Sequence, residues 1–184
     1  MGIASKEFDE FVKRQGSLAA AEQSFDWEKE RNDWMGYLDS LYAQIESFLK
    51  KYIDEGAIRI EYKPMELNEE NIGLYSVNRM IIHIGRQEIA LTPIGTLLIG
   101  SKGRLDVEGS YGKAALLLVD KDRVSPRPSV RVKIMDSQKS PEPERETEKK
   151  IEWTWKIASS PPVVRFIELN AESFFQLIME VSNA

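Results

Sequence analysis

The chain of 184 residues is predicted to adopt an α+β fold. A long amphipathic N-terminal helix packs on a curved, mainly antiparallel sheet of about seven to eight strands, with a C-terminal helix. Three observations predict it. A heptad-like apolar stripe runs from Trp27 to Tyr52, a period of two takes over after Gly56, and a helical period returns after Asn170.

The long helix is expected over 25–54. Its stripe is Trp27, Trp34, Leu38, Leu41, Ile45, Phe48 and Tyr52, in alternating steps of three and four after the first. Ser24 or Asp26 supplies an N-cap, acidic Glu28 and Glu30 suit the positive end of the helix dipole, and Lys50 and Lys51 suit the negative end. Gly56 fits the left-handed stop. Such a helix is about 45 Å long and is expected to overreach its domain at the N-terminal end. Ahead of it, a first helix is expected over 5–15, with Phe8, Phe11 and Val12 as a narrow apolar face. Gly16 and Ser17 are expected to interrupt it. Residues 1–22 then form a docked or mobile arm.

Strands follow wherever polar and apolar residues alternate. Ile58, Ile60 and Tyr62 mark the first, ended by Pro64, with a polar connection over 65–71. The next are expected over 74–84, 88–92 (broken by Pro93), 95–99 and 104–108. The run 113–119 is apolar on both faces, which places it centrally with cover on both sides. Val130, Val132 and Ile134 alternate in another strand. Residues 136–149 contain no apolar side chain and read as a solvated loop. Ile151, Trp153, Trp155 and Ile157 resume the alternation, and 163–168 completes the sheet. Asn170 caps the last helix, whose stripe is Phe174, Phe175, Ile178 and Val181. Short turns make neighbours antiparallel, and the whole chain, 1–184, is expected to be one domain.

Composition removes several functional classes. The chain has no Cys and one His, so thiolate metal sites and Cys nucleophiles are excluded. The lack of Cys and of a basic-then-apolar leader points to a reducing, cytoplasmic setting. No apolar run approaches a membrane span, and no membrane partner is expected. Net charge is −5, which disfavours nucleic acid. The charge is uneven, though: residues 1–56 carry −5, 57–135 carry +3 and 136–184 carry −3.

No residue set supports catalysis. His83 has no evident metal co-ligand and no identifiable orienting carboxylate. The segment Gly95 to Lys102 lacks the Gly-Lys-Ser/Thr order of a phosphate loop. Asp106 and Glu108 share a strand face with Arg104, as expected of a solvated ion pair. Trp153 and Trp155 fall on the apolar phase of their strand and read as core. No Gly-x-Ser-x-Gly elbow occurs, and neither cofactor nor metal is expected.

The expected function is therefore a non-catalytic binding or accessory module, acting through protein–protein contacts or self-association. Trp27 and Trp34, near the acidic start of the long helix, are the candidate partner-binding residues. The alternative is a binder of a phosphate-bearing ligand or nucleic acid. It would use a mildly basic sheet face containing Arg79, His83, Arg104, Arg123, Arg127 and Arg131.

Overall fold

The computed structural model describes residues 3–96, 101–125, 150–159 and 164–182. Helices α1 (Ile3–Ser24) and α2 (Trp27–Asp54) precede strands β1 (Ile58–Glu69), β2 (Gly73–Ile84), β3 (Gln87–Gly95), β4 (Gly103–Glu108), β5 (Lys113–Asp120), β6 (Trp153–Ala158) and β7 (Phe166–Glu168); helix α3 (Ala171–Ser182) ends the fold. The seven strands form one sheet in chain order, each antiparallel to the next. The α+β architecture and its two flanking helical regions are as the patterning predicts.

One face of the sheet carries the core. Ile82, Ile89, Leu91, Val107, Leu105, Leu116, Leu118, Trp155 and Ile157 lie in register across β2 to β6. They are buried under α2 and α3 in one apolar cluster. Two aliphatic side chains on the opposite face, Ile81 and Val119, are also fully buried but stand outside that cluster.

Helix α2 starts at Trp27 because the Asp26 carboxylate accepts from the Lys29 amide at 3.0 Å. Its buried face is Trp34, Leu38, Leu41, Tyr42, Ile45 and Leu49. Tyr42 and Leu49 widen the expected heptad seam, because a helix lying on a sheet buries a broader arc than a coiled-coil seam does. Tyr52 sits at the margin, edge-on to Phe175 of α3, and Phe48 packs beside Phe174. Helix α3 is capped as expected, with the Asn170 side chain accepting from the Ser173 amide at 3.0 Å. At its other end the Tyr111 and Gly112 amides of the β4–β5 turn donate to the Val181 carbonyl.

Several expectations need correction. The first helix does not stop at Gly16. It runs from Ile3 to Ser24, and the Ser17 hydroxyl donates to the Lys13 carbonyl, so the residue expected to break the helix is absorbed by it. Pro64 does not end β1, and the expected polar connection is strand as far as Glu69. As the edge strand, β1 needs no donor on its outer side, which is where a proline is tolerated. Pro93 likewise sits inside β3, beyond the Met80–Leu91 pair where β3 leaves β2 and keeps only β4 as neighbour. A register shift between Pro93 and Gly95 absorbs the irregularity. Within the expected strand 95–99, Gly95 ends β3, and 97–100 fall outside the described residues. The expected strand at 130–134 and the loop at 136–149 also fall outside them. The last strand shrinks to three residues, and Ile151 lies exposed ahead of β6. Cover over β5 is one-sided in part: Leu116 and Leu118 are buried, whereas Ala115 and Leu117 are half-buried on the other face.

The β1–β2 hairpin outruns the sheet. Burial on β2 passes from Met80 and Ile82 to Val77 and Tyr75, a change of parity, although the register with β1 is unbroken. Twist explains this, since a two-stranded ribbon twists more than a full sheet. The twisted arm brings Glu69 back to the end of β3, where its buried carboxylate accepts from the Thr96 amide and hydroxyl, both at 2.8 Å, and from the Tyr75 hydroxyl.

Candidate functional site

The two tryptophans expected at a partner surface have separated fates. Trp34 is fully buried, its ring 5.8 Å from that of Trp155, and it presses on Gly103. A side chain with no exposed area offers nothing to a partner, so Trp34 belongs to the core. The domain itself therefore covers α2 from Trp34 onward. The helix start is anchored as well. Lys102 reaches Glu30 at 3.6 Å and stands over the rings of Trp153 and Tyr37. Trp27 is half-buried against Phe25, with ring centroids 4.5 Å apart, and Phe25 itself is 48% exposed.

The larger exposed apolar feature is on α1. Every side chain described on this helix is exposed. Phe8, Phe11 and Val12 are 64%, 53% and 51% exposed, and the two phenyl rings stack at 6.3 Å. They recur at i, i+3 and i+4, so they form one stripe. The sequence shows that stripe plainly. What it does not show is that nothing in the described fold covers it.

The basic face is assembled only in part. Arg79, His83 and Arg104 project from the face opposite the core, on β2 and β4. Arg123 lies past β5, its Nε donating to the Ser125 carbonyl at 3.3 Å, and Arg127 and Arg131 lie outside the described residues. Carboxylates interleave with these cations. Arg104 pairs with Asp106 at 2.6 Å, Lys113 with Glu108 at 3.0 Å, and Arg59 and Lys63 both approach Glu61 at 3.8 Å. Arg79 differs. It is half-buried, and its Nε is buried without a hydrogen-bond partner.

His83 has the orienting carboxylates that the sequence did not reveal. Its Nε2 is 3.0 Å from Glu61 on β1, and its Nδ1 is 3.8 Å from Glu88 on β3. Glu88 is its direct cross-strand partner, so the register is the signal that would have found it. The His83 hydrogen bond, with help from Lys63 and Arg59, holds the Glu61 carboxyl below its ordinary range. No group of three or more His, Cys, Asp or Glu among the described residues is placed to hold a metal ion. An imidazole between two carboxylates on neighbouring strands forms a cross-strand polar cluster on the sheet.

Comparison with known protein families, with curated proteins and with solved structures finds no match for this chain.

Depressions in the described surface include two near the sheet. A cleft of about 130 Å³ lies between α2 and β2, lined by Met35, Leu38, Asp39, Tyr42 and residues 76–78. A broader, open groove of about 390 Å³ crosses the outer face of β5, with Ala115, Leu117, Ala158 and Val164 as its floor and Arg104, Asp106 and Lys113 at its rim. Neither gathers His83 or a tryptophan. A buried ammonium group, Lys156, stands on the same outer face at 4% exposure, held by the Lys121 and Arg123 carbonyls at 2.7 and 3.0 Å and by Glu168 at 2.9 Å. With its three bonds made inside the chain, it serves to fasten the 120–125 segment and β7 to β6. No described helix is long and apolar enough to cross a membrane.

Proposed function

We propose that the protein is a non-catalytic interaction module that docks a protein partner through the apolar stripe of α1. One observation carries the reading. Phe8, Phe11 and Val12 line one side of a helix whose described side chains are all exposed, and each is more than half accessible. In proteins, helical stability comes mainly from packing an amphipathic face rather than from local propensity. A partner laid along the stripe supplies that packing in the manner of helix recognition by an apolar surface. A photocrosslinking amino acid at position 11, compared with one at exposed Tyr111 on the β4–β5 turn, tests it in the intact chain. Adducts from position 11 and none from position 111 are expected. Equal yields from both, or none from either, would defeat the reading.

A second reading, the phosphate-bearing ligand, keeps one specific support: the unpaired Nε of Arg79. The ion pairs around it weigh the other way, because each neighbouring carboxylate repels an anion. Titration with inorganic phosphate and mononucleotides at low ionic strength, where such attraction is strongest, decides it. Saturable binding lost in Arg79→Gln supports the reading, and no heat of binding discards it.

A further inference from the structure

We infer that the partner of α1 is a second copy of the same chain, paired antiparallel along the stripe. This rests on the reading of α1 as a docking surface and names its occupant. Residues seven apart on an α-helix lie nearly on one line, drifting by about 20°. Glu7 and Arg14 therefore share one flank of α1, next to Phe8 and Phe11. Both are exposed, and neither forms an ion pair with a described residue.

That flank is self-complementary in one orientation only. When two copies cross antiparallel about a two-fold axis near Phe11, Glu7 of each meets Arg14 of the other. The same axis brings the Phe8, Phe11 and Val12 side chains of both copies together. Such an arrangement is isologous and closes as a dimer. A parallel pair sets equal residue numbers at equal heights and leaves Glu7 and Arg14 of opposite copies apart. Acid-to-base order along one flank thus selects the antiparallel pair, as flanking charges select orientation in coiled coils. A two-helix contact lies at the small end of specific interfaces, below about 1,200 Å² in total, so a weak and concentration-dependent dimer is expected.

Sedimentation velocity on the full chain, from micromolar to submillimolar concentration, tests the inference. The wild type is expected to pass from monomer to dimer, and Phe11→Ser to stay monomeric. Glu7→Lys and Arg14→Glu are each expected to raise the dimer Kd about tenfold, and the double reversal Glu7→Lys/Arg14→Glu to restore it to within about threefold. The substituted side chains are exposed, and an unchanged near-ultraviolet circular dichroism spectrum from the tryptophan core shows that each variant folds. A strictly monomeric wild type, a dimer that survives Phe11→Ser, or a double reversal that recovers nothing overturns the inference. Photocrosslinks from position 11 to a different protein, with the purified chain monomeric, overturn self-pairing but leave the docking role intact. No adduct of any kind removes both.

Discussion

The indole of Trp34 occupies the space that a side chain on Gly103 would need: a Cβ at Gly103 would lie 2.1 Å from its Cζ3 and 2.6 Å from its Cε3. Helix α2 and strand β4 meet at this contact, and only glycine allows the approach. Gly103→Ala is expected to destabilise the fold by about 2–3 kcal/mol, because the fully buried ring has nowhere to retreat. Trp34→Ala is expected to cost about 3–5 kcal/mol through cavity formation. Urea denaturation checks both. Gly103→Ala combined with Trp34→Leu is expected to cost less than the sum, since the smaller side chain relieves the overlap. Strict additivity would show that the ring and the glycine do not compete for one space.

The Glu69 clip joins the tip of the β1–β2 arm to the end of β3. Its carboxylate accepts from Tyr75 and twice from Thr96. Glu69→Gln keeps the shape but replaces an acceptor oxygen by a donor facing other donors. A loss of about 1–3 kcal/mol is expected. Hydrogen exchange should rise in the arm over 65–78 before it rises in β4 and β5. Uniform acceleration across the sheet would show that the arm is no separate unit of stability.

Alkaline pH should weaken the fold through three of its tyrosines. Burial is the largest cause in each of Tyr42, Tyr62 and Tyr75, and it raises the phenol above its ordinary value of 10.0; Asp39 adds to the shift at Tyr42, Glu46 at Tyr62 and Glu69 at Tyr75. In the unfolded chain these phenols ionise near 10, whereas the folded protein keeps them neutral to higher pH. Their contribution is therefore complete below about pH 10 and declines as pH rises beyond it. The urea midpoint is expected to fall between pH about 9 and about 11, and to fall less in Tyr42→Phe and Tyr75→Phe. An equal fall in wild type and both variants would assign the effect to other groups.

Lys156 fastens the 120–125 segment and the edge strand β7 to β6. Lys156→Met keeps most of the volume but leaves two backbone carbonyls and Glu168 without their donor. A loss of about 1–3 kcal/mol is expected, with early exchange of amides in 120–125. A neutral or stabilising result would show that the cost of burying the ammonium matches what its three bonds return.

How much of this was legible in the sequence depends on the range of the interaction concerned. Period and caps are local, so α2, its Asp26 cap, the Asn170 cap of α3 and most strands could be read from neighbouring residues. Gly16, Pro64 and Pro93 misled for one reason. Each is a breaker by local preference, and each stands where the fold does not require the missing feature: on a helix whose described side chains are all exposed, on the outer edge of β1, and where β3 has parted from β2. Of the candidate site residues, Trp34 showed its apolar phase but not what covers it. His83 showed no partner because Glu61 and Glu88 reach it across strands, 22 and five residues away.

The sequence by itself determined the α+β class, the periodic faces of the helices and strands, and the reactive residue types the chain lacks. These follow from composition and from contacts within a turn or a strand. Only the tertiary structure decided which apolar face is used up and which remains. The stripe of α2 and the stripe of α1 look alike in one dimension. The sheet can cover one of them, and it covers α2, whose side chains from Trp34 to Leu49 meet β1 through β6. What is left exposed is therefore α1, because burial is a property of the whole packed chain and not of any segment in it.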